Sequence, residues 1–325
     1  MTNIANSNSV ISNTIEAPVR KRSKNKNFKK WLPFYLMMAP GLIYLLVDRY
    51  IPMLGLVMAF RHMDFSVGIW GSPWAGFDNF RFLFATRDAW IITRNTLLYN
   101  TAFIIVNLVV GVTIAIFITD LKNKTLKKMF QGSVLFPFLM STVIVGYIVF
   151  AFLSMRTGFV NNTILPFFGQ DPIFWYNEPN RWPPILVFVN TWRGVGYGVL
   201  IYIAAINGVD PSLYESAVID GATKWKQIRH ITLPLIKPTI IVLLMLGIGR
   251  IFFSDFGLFF QVPRNSGLLF PTTNVIDTYV FRGLMVTGNV GMATAAGFYQ
   301  SIVGFVIVLG SNLLVRKFDK DNALF

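Results

Sequence analysis

Three ionisable residues lie inside long apolar runs of this 325-residue chain: Arg193, Arg250 and Asp255. Charged side chains at membrane depth are costly, and they usually pair with one another or face a water-filled cavity. Two interpretations therefore stay open. In the first, Arg193 or Arg250 pairs with Asp255 and holds two helices together; in the second, the three residues line a path for a polar solute.

The chain lacks the groups that nucleotide binding or catalysis would need. No glycine is directly followed by lysine, so there is no P-loop for ATP. There is no cysteine, and the two histidines, His62 and His230, form no ligand-spaced cluster. A membrane-embedded enzyme needs a convergent set of titratable groups, and the apolar runs hold only three. We therefore expect no catalytic residue, no metal site and no cofactor in this chain.

The composition is that of an integral membrane protein, with 54% hydrophobic and 14% charged residues. A helix needs roughly 20 apolar residues to cross a bilayer, and backbone groups in lipid must be satisfied within the helix. The sequence predicts an all-α protein with six transmembrane helices, at Trp31–Phe60, Thr96–Thr119, Phe130–Leu153, Pro184–Ala205, Thr239–Phe260 and Met292–Val315.

The distribution of basic residues predicts the orientation. Eighteen lysines and arginines fall before the first span, after the last one and in the two loops on that same side, against eight in the longer loops opposite. Cytoplasmic segments carry this excess, so both termini are expected in the cytoplasm. This explains the net charge of +14 without nucleic acid. We predict a cytoplasmic basic tail over residues 1–30 and one membrane domain over 31–325.

A polar segment between the fourth and fifth spans has its own start and stop signals. Asp210 and Pro211 suit a helix start, and Ser212–Ile219 then predicts a short helix. The pair Asp220-Gly221 indicates a turn. A second short helix, Thr223–Ile231, is expected to end at Leu233-Pro234. Its mixed surface fits either a helix resting on lipid headgroups or an element that docks into another protein.

This segment resembles the EAA loop of ABC-importer permeases. The matching positions are Glu215, Ser216, Ala217, Gly221, Ile231, Leu233 and Pro234, and only Ser216 departs from the motif. The resemblance implies that the segment is a cytoplasmic coupling helix between helices 4 and 5, inserted in a cleft of an ATP-hydrolysing subunit. Glu215 would then pair with a basic residue there, and Gly221 would permit the bend.

The resemblance extends over roughly residues 30–325, to the maltose-type carbohydrate permeases. "GFDNF", "RNTLLYN", "TWRGVGYGVLIYIAAINGVDPSLYESAVIDGA" and "NVIDTYVFRGL" resemble the branch that handles complex oligosaccharides and polysaccharide fragments. In that family the substrate site uses the fourth and fifth spans. Carried onto this sequence, the resemblance implies a substrate path at Arg193, Gly194, Tyr197, Ile251, Phe252 and Asp255. Arg250 is added because it is a charged residue inside the fifth span.

Side-chain chemistry agrees with a sugar path. A pyranose has an apolar face and a ring of hydroxyls, so aromatic rings and planar hydrogen-bonding groups suit it. Candidates are Tyr197, Phe252, Phe253 and Tyr299 for the first role and Arg193, Asp255 and Gln300 for the second. The spacing of Gly194 and Gly198 indicates helix packing instead.

The resemblance implies a permease subunit in the bacterial cytoplasmic membrane that imports oligosaccharides. Its partners would be membrane lipid, ABC ATPase subunits that bind the ATP, a second permease expected to be a different chain, and an extracytoplasmic solute-binding protein. Two alternatives stay open: an ABC permease for another solute, and a self-contained secondary transporter, which would carry inverted repeats with broken helices that the sequence does not reveal. The aromatic outer loops fit an interfacial belt or a docking face for the binding protein.

Overall fold

The computed structural model describes residues 24–318, without the side chains of 24–30, 82, 314, 315 and 318. Residues 1–23, which hold most of the predicted tail, and 319–325 lie outside the described residues. Within this range the chain is helical, and its one β-bridge joins Arg61 and Trp74. It divides into two compact units, one up to Gly55 and one from Leu56.

The first unit is a single helical stretch. Helix α1, Lys24–Leu45, continues through a π-helical turn, Leu46–Tyr50, into Ile51–Met53. It starts at Lys24, before the predicted span, so the last basic residues of the predicted tail are helical. Most of its side chains from Trp31 onward are apolar and exposed. An apolar surface of this length suits lipid and is costly in water.

The second unit holds the remaining helices and the hydrophobic core. Those that position the candidate sites are α2 Asp78–Ala85, α3 Asp88–Asp120, α4 Lys124–Leu135, α5 Thr142–Leu153, α6 Trp182–Asn207, α7 Pro211–Ile219, α8 Lys224–Gln227, α9 Leu233–Ile248, α10 Phe256–Gln261, α11 Ile276–Met285 and α12 Val290–Phe318. Helices α3 and α6 pack along each other through buried valines and Tyr202. A Cβ at Gly196 would collide with the Val134 carbonyl, so α4 and α6 meet backbone to backbone.

The prediction of an all-α membrane protein is confirmed. Five stretches of the described residues are long and apolar enough to cross a bilayer, or six if a bent pair forms one span. That pair corrects the predicted straight span Phe130–Leu153. The chain bends by 98° between Leu139 and Thr142. Pro137 lies in a 3₁₀ turn there, and the Ser141 hydroxyl accepts the Val143 N–H to start α5.

The predicted fifth span, Thr239–Phe260, is wrong as a continuous helix. Helix α9 ends at Ile248, the backbone leaves helical geometry over residues 249–255, and α10 begins at Phe256. The Asp255 carboxylate caps α10 by accepting the Leu258 N–H at 3.0 Å. Irregular backbone at membrane depth is tolerated where it is buried in protein or lines a cavity. The bent third span and the irregular segment after α9 are thus the two places where the described residues depart from the predicted straight helices.

The predicted stop at Leu233-Pro234 is also wrong. A π-helical turn, Ile228–Thr232, joins α8 to α9, so one helix runs from Lys224 to Ile248. The Leu233 N–H reaches back to the Ile228 carbonyl, one residue further than in an α-helix. Because this turn already interrupts the hydrogen-bond ladder, the missing N–H of Pro234 costs little.

Candidate functional site

A cavity of about 640 Å³ lies between α3, α6, α9 and the irregular segment 249–255. We call it the large cavity. Its walls combine aliphatic side chains with amide, guanidinium and carboxylate groups, and its lining residues include Asn100, Asn107, Asn190, Gly194, Gly198, Gly247, Arg250, Phe253, Ser254 and Asp255. The size and the few polar groups are typical of a small-molecule site.

Three asparagines supply most of the neutral polar surface. Asn100 donates from Nδ2 to the Ile251 carbonyl at 2.9 Å and so holds the irregular segment against α3. Asn107 donates to the Asn190 Oδ1 at 3.1 Å and links α3 to α6. The Asn107 Oδ1 is buried and has no partner among the described residues. It is therefore an unsatisfied acceptor in a residue that lines the cavity.

The fourth and fifth spans are joined by an ion pair. The Arg193 Nη1 donates to the Asp255 Oδ2 at 2.9 Å, and the two side chains are 25% and 38% exposed. Because the other Asp255 oxygen caps α10, the carboxylate serves both contacts at once. The first of the two sequence interpretations, a pair that locks two helices, is therefore confirmed for Arg193 and Asp255.

The second arginine has no such partner. Arg250 is exposed and lines the large cavity. Among the described residues, no carboxylate lies within ion-pair distance of its guanidinium. Since Asp255 neutralises Arg193, the cavity keeps one uncompensated positive charge.

A buried hydrogen-bond network links the irregular segment 249–255 to α11 and α12. Asp277 of α11 accepts the Ser254 N–H at 2.8 Å and the Gln300 amide at 3.1 Å. The same Gln300 amide donates to the Phe252 carbonyl at 2.8 Å. The backbone of residues 252–254 is thus fixed by α11 and α12, which positions Arg250 and Asp255 at the cavity wall.

The predicted path residues divide into two groups. Gly194, Arg250 and Asp255 line the large cavity, and Arg193 reaches it through its ion pair. Tyr197 lies outside that lining; it is 58% exposed and stacks on Phe138 with ring centroids 5.8 Å apart.

Two further path residues have structural contacts. Phe252 is 1% exposed and packs in the core with Ile276 and Ala296, so its ring is not open to a ligand. Ile251 contributes its backbone carbonyl to Asn100. Of the other sugar-binding candidates, Phe253 lines the cavity, whereas Gln300 is buried in the network above.

The sequence interpretation missed the asparagines and misread two glycines. Asn100 and Asn107 are seven residues apart and therefore share one face of α3, a polar signal within an apolar run. Asn190, Gly194 and Gly198 follow at intervals of four on α6. A Cβ at Gly194 would have no atom within 4 Å, so this glycine opens the cavity and does not pack against a helix. The packing glycine is Gly196.

Residues 210–234 follow the last turn of α6, and we call them the EAA segment. The Asp210 side chain caps α7 by accepting the Ser212 N–H at 2.9 Å, and this hydrogen bond lowers the pKa of Asp210. Gly221 takes a φ of +74°, as predicted for the turn. Thr223 caps α8.

The EAA segment is anchored on one side and exposed on the other. The Tyr214 hydroxyl lies 3.0 Å from the Thr232 hydroxyl, and the Lys224 ammonium donates to the Asp120 carboxylate at 2.5 Å. The first contact holds α7 against the π-helical turn within the segment, and the second fixes the segment to the end of α3.

The exposed side of the segment combines apolar side chains with the carboxylate of Glu215. Val218, Ile219 and Trp225 are 62%, 86% and 68% exposed. Of the seven predicted motif residues, four are exposed and three are half-buried, the exposed ones being Glu215, Ser216, Gly221 and Pro234 and the others Ala217, Ile231 and Leu233. Exposed apolar residues ringed by charge are typical of a protein contact surface.

The aromatic residues of the predicted outer loops have mixed roles. Trp182 is fully buried at the start of α6, and its indole donates to the Trp175 carbonyl at 2.7 Å. Trp70, Trp74 and Phe77 are largely exposed. Trp182 therefore belongs to the core, whereas the exposed residues are available as a belt or a docking face.

Comparison with known proteins places these features in one family. Residues 107–320 match the family model described as the binding-protein-dependent transport system inner membrane component. Protein LplB of Bacillus subtilis is 32% identical over 292 residues, covering 90% of each chain. The polygalacturonan/rhamnogalacturonan transport system permease protein YteP of the same organism is 34% identical, covering 94% of this chain and 96% of the relative.

A solved structure has the same fold. It is a bacterial ABC transporter involved in the import of the acidic polysaccharide alginate, with a TM-score of 0.82, 35% identity, and coverage of 90% of this chain and 98% of that one. A second structure of such an alginate transporter, in complex with an alginate pentasaccharide-bound periplasmic protein, gives a TM-score of 0.81. The chain therefore belongs to the family of binding-protein-dependent transport system inner membrane components, and it is an integral membrane permease subunit of an ABC importer.

Proposed function

We propose that this chain forms half of a pore that imports oligosaccharides, with the large cavity as the sugar site and the EAA segment as the docking element for the ATPase. The observation that carries the proposal is one continuous helix, Lys224–Ile248, which starts in the EAA segment and ends at the cavity wall. Its 25 residues span roughly 37 Å at 1.5 Å per residue, enough to connect the cytoplasm with the middle of a bilayer.

The helix supports a mechanical account of coupling. Lys224 ties the EAA segment to the end of α3, and Tyr214 ties α7 to the π-helical turn that leads into α9, so displacement of the segment is passed to the membrane helices and not absorbed by a loose loop. At the other end the helix stops two residues before Arg250. Closure of an ATPase dimer against the exposed apolar side would therefore move the segment that carries Arg250 and Asp255. ATP hydrolysis then resets the cavity, which gives alternating access.

The remaining parts of the importer follow from this arrangement. The basic residues on the side of the EAA segment support a cytoplasmic location for that side and for both termini, in the bacterial cytoplasmic membrane. ATP is held by the partner ATPase subunits. A binding protein delivers the sugar at the opposite face, and a second permease, of a different sequence, completes the pore.

Charge reversal in the EAA segment tests the docking role. Glu215 is exposed, so Glu215→Lys should insert and fold normally but lose binding to the ATPase subunit and substrate-stimulated ATP hydrolysis. Asp171→Lys is the matched control, because Asp171 is an exposed carboxylate outside the EAA segment with no ion pair among the described residues. Normal stimulated hydrolysis in Glu215→Lys, or equal loss in both variants, would remove the docking assignment.

The substrate class is narrowed by Arg250. Its unpaired guanidinium lines the cavity and favours an anion, because arginine can clamp a carboxylate through two parallel hydrogen bonds. Relatives whose names include polygalacturonan and alginate, both chains of uronate units, support the same inference. The proposed substrates are therefore acidic oligosaccharides, with Arg250, and not the paired Arg193, as the group that meets the carboxylate.

Uptake by the reconstituted importer tests this choice. With saturating sugar-loaded binding protein, Arg250→Gln should slow uptake of an oligogalacturonate about tenfold, the loss expected for one hydrogen bond to a charged group, and leave a neutral oligosaccharide of equal length unaffected. Arg193→Gln should slow both sugars alike, since it leaves Asp255 unpaired. If Arg250→Gln slows both sugars equally, the acidic preference is wrong.

A further inference from the structure

A second, smaller pocket of about 230 Å³ lies between α5, α10 and the turn that follows α10. We call it the Tyr147 pocket. Its lining residues are Val143, Gly146, Tyr147, Phe260, Gln261, Arg264 and Asn265. None of them belongs to the large cavity, and none is acidic.

The walls of this pocket are fixed by close packing. A Cβ at Gly146 would lie 2.9 Å from the Gln261 carbonyl, so α5 and α10 touch through their backbones. The Arg264 guanidinium lies 4.3 Å from the ring centre of Phe150 and 5.7 Å from that of Tyr147. Stacking on Phe150 holds the cation in place and leaves its hydrogen-bond donors free at the edge.

The turn after α10, which carries Arg264 and Asn265, has a strained backbone. Arg264 and Asn265 have φ angles of 55° and 48°, a region that L-residues rarely occupy. The Asn265 Oδ1 accepts a hydrogen bond from the Arg282 Nη1 at 3.0 Å, which orients the amide. Among the described residues no carboxylate pairs with Arg264. Tyr147 is 63% exposed, so one ring face is open.

These groups match one chemical class of ligand. An open phenol ring suits the apolar face of a sugar, planar amides suit its hydroxyls, and an unpaired guanidinium suits a carboxylate. A pocket of about 230 Å³ has room for one monosaccharide unit. A uronate unit therefore satisfies all three kinds of group at once.

The pocket lies beyond the large cavity, away from the EAA segment. A Cβ at Gly257 would be 3.2 Å from both Thr142 and the Asp255 carboxylate, which places the start of α5 beside the ion pair. Phe150, eight residues further along α5, is roughly 12 Å from that level. Trp182, at the start of α6, packs in the same core cluster as Val262. The pocket is thus near the end of the bundle opposite the EAA segment.

We propose that the Tyr147 pocket is a second sugar subsite, in which Arg264 binds the carboxylate of one uronate unit and Tyr147 contacts its ring while another unit occupies the large cavity. The proposal rests on the proposed function and adds a length dependence to it. Short acidic sugars fit the large cavity alone, whereas longer ones contact both places on their way in.

The test compares two acidic sugars in the complete importer, reconstituted in proteoliposomes with saturating sugar-loaded binding protein. The probes are digalacturonate and tetragalacturonate, with maltotetraose as the neutral sugar. Arg264→Gln should slow tetragalacturonate uptake about tenfold, the loss expected for one hydrogen bond to a charged group, and change the other two less than about twofold. Tyr147→Ala should slow both tetrasaccharides. Arg156→Gln, a change at an exposed arginine outside the pocket, should alter none of them.

Other results would count against the subsite, the uronate assignment or the proposed function. Equal slowing of all three sugars by Arg264→Gln, or no slowing of any, would overturn the subsite. Dissociation of the permease pair in this variant, seen by size-exclusion chromatography, would make the pocket a subunit interface and overturn it as well. Uptake of maltotetraose alone by the wild type would overturn the uronate assignment but keep the oligosaccharide importer. Uptake of none of the sugars would instead count against the proposed function itself.

Discussion

Replacing Gly221 should weaken docking of the ATPase subunit in proportion to how poorly the new residue tolerates a positive φ. Gly221 ends α7 in a Schellman arrangement: its N–H bonds to the Val218 carbonyl at 3.0 Å, and the Ala222 N–H bonds to the Ala217 carbonyl at 2.8 Å. A Cβ here would meet no atom within 4 Å, so an alanine does not clash. The cost therefore comes from the φ of +74° alone.

That cost sets the size of the effect. An L-residue in the left-handed region costs roughly 1–2 kcal/mol, which corresponds to a five- to thirtyfold weaker docking constant if only the bent segment binds. Gly221→Asn should fall below this range because asparagine tolerates the conformation, and Gly221→Val should reach or exceed its upper end. Gly208→Ala is the control, since Gly208 has an ordinary φ of −80°.

The assay is equilibrium binding of the ATPase subunit to the permease pair in nanodiscs, with substrate-stimulated ATP hydrolysis as a second measurement. The expected order of docking constants is wild type, Asn, Ala and then Val, with Gly208→Ala close to wild type. Wild-type docking in the valine variant, or an equal loss in Gly208→Ala, would refute the role of the bend.

Three further predictions concern the membrane part of the chain. Arg193→Gln and Asp255→Asn should each lower the thermal stability of the purified permease, and the double variant should lose less than the sum, by about 1–2 kcal/mol in a double-mutant cycle; strict additivity would contradict the ion pair. Asp277→Ala should slow transport and leave ATPase docking intact, because it removes the acceptor that holds Ser254 and Gln300 and so loosens residues 252–254. A transport rate equal to wild type would show that the network is dispensable. The isolated chain should bind no ATP until an ATPase subunit is added, and saturable nucleotide binding by it alone would be inconsistent with the missing P-loop.

The membrane architecture was predictable because it depends on local rules. Apolar length marked the spans, and the Asp210, Pro211 and Gly221 signals marked the EAA segment, since capping and a positive φ are properties of single residues and their neighbours. Family resemblance supplied the identity, and the comparisons confirm it.

The breaks in the spans were not predictable by the same rules. Leu233-Pro234 normally stops a helix, but tertiary packing of Ile236 and a π-helical turn carry this helix onward. Residues 249–255 mix three apolar side chains with Gly249, Arg250, Ser254 and Asp255, and distant partners on α3, α11 and α12 hold their backbone in place. These three contacts link residues 23, 48 and 151 apart, which a local window cannot detect.

The candidate site was predictable in part for the same reason. Arg250 and Asp255 stood out because charge is rare in apolar runs. The asparagines were missed because they are uncharged and do not interrupt the apolar run. The interval from Asn100 to Asn107 nevertheless places both on one face of α3. Which arginine pairs with Asp255 needed the geometry, because both are within reach of it by sequence alone.

The most direct test of the central claim is uptake of a labelled oligogalacturonate by proteoliposomes that contain this chain, its second permease and the ATPase subunits. We predict uptake only when ATP is present on the side of the EAA segment and loaded binding protein is present on the opposite side, with loss of uptake in Glu215→Lys. Uptake that proceeds without ATPase subunits and follows an imposed ion gradient would contradict the account, since it would make the chain a self-contained secondary transporter.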